Sequence, residues 1–226
     1  MPSREFTVSP EAFGPVKSGE FTHPLRITIL QGNLLTQKVD AIINPAKESL
    51  RGGEGLDGMI HRAALVNGVD KLDEECITLG GCEIGNAKIT KGYSLPASHI
   101  IHAVGPIYPD KLDDKWGHYN EWLKTPLESR KREIEKERKR DCIEARELLL
   151  QVHKNILRVA RENKLKTIAI PAISTGIFGY PPEEAAYIAQ QAVFEDLRDN
   201  GEGTLEEIRF VLFEIEKYEL YEKAFS

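Results

Sequence analysis

The chain has 226 residues, 41% of them hydrophobic, and a net charge of -6. That composition supports one domain with a sizeable core and argues against a general affinity for nucleic acid, whose phosphates call for an excess of Lys and Arg. No run approaches the ~20 apolar residues of a membrane span, and the start, MPSREFTVSPEAFGPVKSGEF, lacks the basic-then-apolar order of a signal peptide.

The three cysteines, Cys76, Cys82 and Cys142, are an odd number without metal-ligand spacing. No metal and no cofactor is therefore assigned, and a reducing, intracellular setting is expected, cytoplasmic or nuclear. Residues 1–24 show no clear periodicity and read as an N-terminal arm before a domain spanning 25–226. LRITILQ (25–31) and VDAIIN (39–44) are short β-branched runs, hence strands. DGMIHRAA (57–64) begins a helix, with Asp57 placed to cap it or to sit in its first turn. NAKITKGYSLP alternates like a half-exposed strand, and HIIHAVGP reads as a more buried one.

A charged insertion near 110–140 follows, containing Trp116, Tyr119 and Trp122. Its run SRKREIEKERKR mixes signs at short spacing and reads as a solvated extension of the next helix. DCIEARELLLQVHKNILRVARENK has helical spacing of apolar residues. TIAIPAIS (167–174) is a strand, PPEEAAYIAQQAVFEDLRDN a helix with prolines and glutamates in its first turn, EIRFVLFE a last strand and YELYEKAF a terminal helix. Alternating strands and helices over this length imply an α/β domain whose sheet is covered on both faces.

Two glycine-bearing stretches join a strand to a helix: NPAKESLRGGEGLDG (44–58) and STGIFGY (174–180). Such loops lie at the carboxyl ends of strands, where ligands bind. Both feed helix N-termini, where free N–H groups and the dipole favour an anion, typically phosphate. Together with Asn33 after a third strand, they suggest a ligand with phosphate in its middle and polar groups at both ends. GEGLDG (53–58) also matches G-x-G-x-x-G. It lies some eight residues beyond Asn44 and follows the second strand, which disfavours a hydride-transferring Rossmann enzyme.

The motifs QGNLL, VDAIINPAKESLRGGEGLDGMIHRAA, LGGCEIGNAKITKGYSLPASHIIHAVGPIY and IPAISTGIFGYPPEEAA, in this order, resemble a macrodomain of the MacroD type. The resemblance covers about Leu25 to Phe225. It implies a three-layer α/β/α fold around a mixed sheet that binds ADP-ribose. Many relatives remove mono-ADP-ribose from acidic side chains of modified proteins or deacetylate O-acetyl-ADP-ribose. ADP-ribose and ADP-ribosylated proteins are the partners it implies; the protein itself is expected to be a monomer.

By the same resemblance, Asp57 stands at the catalytic aspartate beside the distal ribose. Such a carboxylate orients or activates a water, or stabilises the oxocarbenium-like transition state. Asn44 matches the first asparagine of the family's N-A-A-N signature, its amide able both to donate to and to accept from sugar hydroxyls. Lys47 replaces the second asparagine; lysine only donates, and it carries charge. It could bind the ribose hydroxyls, pair with Asp57 or swing into solvent; if it reaches the ribose or Asp57, it should lower the pKa of that carboxyl. Pro45 and Glu54 depart from the usual alanine and glycine.

Asn33 takes the place of an aspartate that accepts from the adenine amino group, with Leu34 following it. Gly53, Gly55 and Leu56 belong to the ribose and phosphate side of the first loop. Ser174, Thr175, Gly176, Ile177 and Phe178 match the phosphate loop. If the lysine displaces a working asparagine, the protein is instead a non-catalytic ADP-ribose reader. His61, one turn after Asp57, is expected to be a buried structural histidine.

Overall fold

Short β-branched runs become strands here, and their period-two alternation sorts side chains into two separate cores. The computed structural model describes residues 2–9, 23–111 and 128–226. In chain order the strands are β1 (Ser3–Val8), β2 (Leu25–Gln31), β3 (Ala41–Pro45), β4 (Ala87–Lys91), β5 (His99–Ala103), β6 (Thr167–Ile170) and β7 (Glu207–Leu212). The helices are α1 (Gly55–Ala63), α2 (Lys71–Leu79), α3 (Glu128–Glu162), α4 (Pro182–Asn200) and α5 (Ile215–Phe225).

The strands form one sheet in the order β1-β2-β7-β6-β3-β5-β4. The five inner strands run parallel, and β1 and β4 pair antiparallel at the two edges. Ile43, Ile101, Ile168 and Phe210 pack with residues of α3, α4 and α5, such as Leu149, Ile156, Ala189 and Tyr221. Their strand neighbours Ile42, Ile100, Ala169 and Val211 face the other way, onto Ile60 and Ala64 beyond β3 and Leu72 and Cys76 of α2. The result is three layers around a mixed sheet. Truncating a wholly buried side chain such as Ile156 to alanine would cost about 2–5 kcal/mol.

Two elements are additions to the sequence reading. β1 lies within the arm; SREFTV carries only a weak alternation, and its Arg4 and Glu5 suit an exposed sheet edge. α2 buries only Leu72 and Cys76, too thin a stripe to recognise by periodicity. Its ends are nonetheless well marked. Asp70 accepts a hydrogen bond from the Asp73 N–H at 2.9 Å, and Gly80 closes the helix at φ 66°.

α3 runs through the charged stretch as one 35-residue helix. Buried Ala145, Leu149, Val152 and Ile156 repeat every three or four residues and set its packed face. Arg138 makes a bidentate pair with Asp110 at 2.9 and 2.7 Å. Arg161 is likewise paired with Asp196 of α4. Trp116, Tyr119 and Trp122 lie outside the described residues. Among the described residues, no helix is long and apolar enough to cross a membrane.

Because the inner strands are parallel, the loops after β2, β3, β6 and β7 leave the same edge of the sheet. β3 and β6 are direct neighbours, so their glycine loops emerge side by side.

Candidate functional site

Asn44 shares a sheet face with Ile42 and so points into the α1–α2 layer. Across the β3–β5 ladder its partner is His102. Asn44 is wholly buried, and its Nδ2 donates to Asp57 Oδ1 at 2.7 Å. Asp57 sits in the first turn of α1 but does not cap it. The N-cap position is Glu54, which makes no side-chain capping bond. The first amides of α1 are left uncovered while the carboxylate is turned inward.

Glycines make that geometry possible. A Cβ on Gly58 would lie 2.1 Å from the Gly53 carbonyl oxygen, and Gly55 has φ +61°. A Cβ on Gly55 would also stand 3.7 Å from Ile177 Cδ1, so the tips of the two loops face each other. Bidentate Arg51–Asp73 bonds at 3.0 and 2.8 Å tie the first loop to α2.

The Asp57 carboxyl is held above its ordinary value. Burial is the largest cause, opposed by the Asn44 hydrogen bond and then by the charges of His61 and Lys47. The influence of Lys47 thus has the sign expected from sequence, but it is the smallest of the four and burial outweighs it. Lys47 is exposed. A Cβ on Gly53 would lie 3.3 Å from Asp57 Oδ2 and 3.6 Å from Lys47 Nζ, so both groups border one small volume. Asp57 Oδ1 is committed inward; Oδ2 faces the loop and the lysine.

His61 is buried, with Nε2 3.7 Å from Asp57 Oδ1 and Nδ1 3.7 Å from Asp70 Oδ2. Those separations exceed hydrogen-bonding distance. With Cys76 and His102 it brings one donor atom each to within 4.8 Å of the others, a convergence that sequence spacing does not reveal. The donor set suits a metal poorly. Both His102 nitrogens have partners, and burial pushes the Cys76 thiol up to about 12, so it stays protonated.

The second loop works through its backbone. Ser174 adopts φ +63° and is buried against Gly105, where an added Cβ would meet its Oγ at 2.2 Å. Thr175 Oγ1 donates to the Ala172 carbonyl at 3.0 Å, and the Tyr180 N–H donates to the Ser174 carbonyl at 2.9 Å. The loop's bonds among the described residues leave the N–H groups of Gly176, Ile177 and Phe178 without partners. Gly176 and Ile177 are exposed and Phe178 is half-buried. Three successive free amides at a turn form a ready anion cradle.

Asn33 is exposed, and its Oδ1 accepts from the Leu35 N–H at 2.9 Å. The Leu34 side chain is buried in the core, leaving only its backbone to offer a ligand. A shallow cleft of about 390 Å³ beside Asn33 is also lined by Pro2, Ser3 and Gly32. A larger cleft, about 490 Å³ between Glu48–Arg51 and Cys76–Gly81, contains none of the candidate residues predicted from sequence. The site is therefore better located by its chemistry than by its concavity.

Residues 43–125 and 134–189 match the Macro domain family. The chain belongs to that family. It is 40% identical over 200 residues to a Macro domain-containing protein of Chlorobaculum tepidum, covering 88% of this chain and 95% of the relative. It is 36% identical over 201 residues to the ADP-ribose glycohydrolase MACROD2 of Homo sapiens, covering 89% of this chain but 39% of that longer protein. Among solved structures, the Oceanobacillus iheyensis macrodomain with ADP matches at TM-score 0.67 and 28% identity, over 100% of this chain and 96% of that one. The Trypanosoma brucei macrodomain in complex with ADP-ribose matches at TM-score 0.67 and 30% identity, over 88% and 69% of the two chains.

Within this macrodomain, three residues near the site are absent from the sequence reading. His102 and Thr90 stand behind Asn44, with His102 Nδ1 3.1 Å from Asn44 Nδ2 and Nε2 2.9 Å from Thr90 Oγ1. Phe213 follows β7 directly and is 80% exposed. Since Gln31 pairs with Leu212, Phe213 lies next to Gly32 and close to Asn33 along the sheet edge. In sequence Phe213 reads as part of the strand EIRFVLFE; the strand ends at Leu212, and the exposure of the ring appears only in the structure.

Proposed function

We propose that this macrodomain binds ADP-ribose and hydrolyses mono-ADP-ribose from acidic side chains of modified proteins, and acts on O-acetyl-ADP-ribose through the same site. The observation that carries the reading is the buried Asp57 carboxylate. It is held by Asn44 at the root of two facing glycine loops, one of which offers three free amides. The diphosphate takes the amides of Gly176, Ile177 and Phe178 and the uncapped start of α1. Adenine lies at the Asn33 end, where Phe213 offers a flat face. The distal ribose reaches Asp57 and Lys47.

In that pose Asp57 Oδ2 lies beside the anomeric carbon. Water adds to that carbon as its bond to the modified side chain breaks; the side chain leaves as a carboxylate, and Asp57 Oδ2 takes the proton the water loses. Asp57 orients the water and stabilises the positive charge developing on the sugar. The raised pKa makes it a stronger base than an ordinary carboxylate. Related proteins with the names ADP-ribose glycohydrolase and macrodomain in complex with ADP-ribose support the assignment.

A second reading has its own observation. Lys47 Nζ shares the Gly53 volume with Asp57 Oδ2, and a cation there pairs with the carboxylate and blunts it. The protein would then be a reader that retains ADP-ribosylated protein without cleaving it. A time course on Asp- and Glu-modified protein, wild type against Asp57→Ala, separates the two. Release of ADP-ribose by wild type alone supports hydrolysis, and equal binding with no release by either supports the reader. No calorimetric heat and no thermal shift with millimolar ADP-ribose would remove both.

A further inference from the structure

We propose that His102 is a positioning residue for this site: held by Thr90, it orients the Asn44 amide and, through it, the carboxylate of Asp57. The groups lie in a row of three contacts across β4, β5, β3 and α1. Thr90 Oγ1 is 2.9 Å from His102 Nε2, His102 Nδ1 is 3.1 Å from Asn44 Nδ2, and Asn44 Nδ2 is 2.7 Å from Asp57 Oδ1. Thr90, His102 and Asn44 are each at most 2% exposed, so water cannot substitute for a wrong partner.

With Asp57 ionised, one arrangement of protons satisfies these three contacts. Asn44 Nδ2 has two hydrogens; one goes to the carboxylate, the other to His102 Nδ1, which must therefore carry a lone pair. The histidine proton then sits on Nε2 and is donated to Thr90 Oγ1. The threonine's own proton goes to the Lys91 carbonyl at 3.3 Å. Turning the Asn44 amide over would set its oxygen against both a carboxylate oxygen and a ring lone pair. The other histidine tautomer would set N–H against N–H. Both are costly in a buried network.

Other charged or titratable groups border the row. His61 of α1 and Lys47 face Asp57, Cys76 of α2 lies 3.8 Å from His102 Nε2, and Asp70, Asp73 and Glu75 surround Cys76. Burial, and the charge of His61 after it, holds His102 down at about 3, so it is neutral at any working pH. It acts as a fixed acceptor rather than a proton shuttle. With Oδ1 of Asp57 committed to this row, Oδ2 is the oxygen left for chemistry.

The catalytic consequence rests on the hydrolase reading, but the positioning does not, so the test has two arms on the full chain. Asp57 is titrated by NMR of carboxyl-labelled protein, and kcat and KM are measured on modified protein. A hydrogen bond to the charged form lowers a carboxyl pKa, so losing the oriented amide should raise it. In His102→Leu the Asp57 midpoint should rise by about half a unit or more, and kcat should fall about tenfold with KM changed less than about threefold. Thr90→Val, which frees the tautomer without changing shape, should move both in the same direction by less. His102→Asn, placing an amide oxygen where Nδ1 was, should restore the midpoint.

An unmoved Asp57 midpoint in both His102→Leu and Thr90→Val would overturn the proposal, as would a failure of His102→Asn to differ from His102→Leu. If His102→Leu does not fold, Thr90→Val decides. If wild type shows no turnover, the hydrolase reading falls while the carboxyl titration still decides the positioning.

Discussion

The loop from β3 to α1 and the loop from β6 to α4 both follow a buried parallel strand and feed a helix N-terminus. They meet where Gly55 approaches Ile177. The first places side chains: Asn44 holds one oxygen of Asp57 from behind, the other oxygen borders one small volume with Lys47, and each depends on the identity of its neighbours. The second places backbone, with the amides of Gly176, Ile177 and Phe178 left open by a turn through Ser174. Directional side-chain chemistry tunes reactivity and is easily broken by one substitution. A backbone cradle is indifferent to most side chains and fails only when the chain's path or its open space is lost.

The strongest way to break this contrast is Asp57→Ala. Turnover should fall by about 100-fold or more, the scale of a lost acid–base or charge-stabilising group. ADP-ribose affinity should stay within about threefold, because the phosphate cradle is untouched; single-turnover kinetics beside calorimetry would show the split. A matching loss of affinity would merge the two roles.

Gly176→Ala probes the other loop. Nothing lies within 4 Å of a Cβ there and its φ is ordinary, so the melting temperature should hold. The new methyl stands where an anion must approach, and affinity should drop about tenfold, ~1.4 kcal/mol. Equal affinity for wild type and variant in calorimetry would show that the phosphates lie elsewhere.

Lys47→Asn should raise turnover several-fold if hydrolysis occurs, with affinity changed by less than about tenfold. Removing a cation that stabilises ionised Asp57 raises the carboxyl further. The acidic limb of the rate profile, already displaced upward by burial, should therefore move to higher pH. Loss of all activity in this variant would make the lysine a working group instead. The smallest effect belongs to Asn33→Asp. One carboxylate oxygen can keep the cap on the Leu35 N–H while the second accepts from an exocyclic amine. Affinity for ADP-ribose should rise about threefold, and that for ribose 5-phosphate should not change.

The layers and the two loops were readable from sequence because they rest on local signals. β-branched runs marked the central strands, helical spacing marked α3 and α4, and glycines between a strand and a helix marked the ligand edge. The roles of Asn44, Asp57 and Asn33 came from resemblance rather than from any pattern of their own. His102 and Thr90 stayed hidden because their meaning depends on register. Asn44 meets His102 only when β3 and β5 pair, and Thr90 reaches the ring only from the antiparallel edge. α2 and β1 were missed for a different reason: each buries so little that its apolar signal is lost among charges.

The length of α3 has a bearing on handling the protein. At about 1.5 Å per residue a helix of this length reaches some 50 Å, and among the described side chains its packed face begins near Asp141. Arg132, Lys136, Lys139 and Arg140, upstream, are exposed and make trypsin-sensitive positions once those turns fray. Limited cleavage there should leave a nicked protein whose two fragments stay associated through the buried half of the helix. The same turns are where an affinity handle or fluorophore can be attached without disturbing either loop.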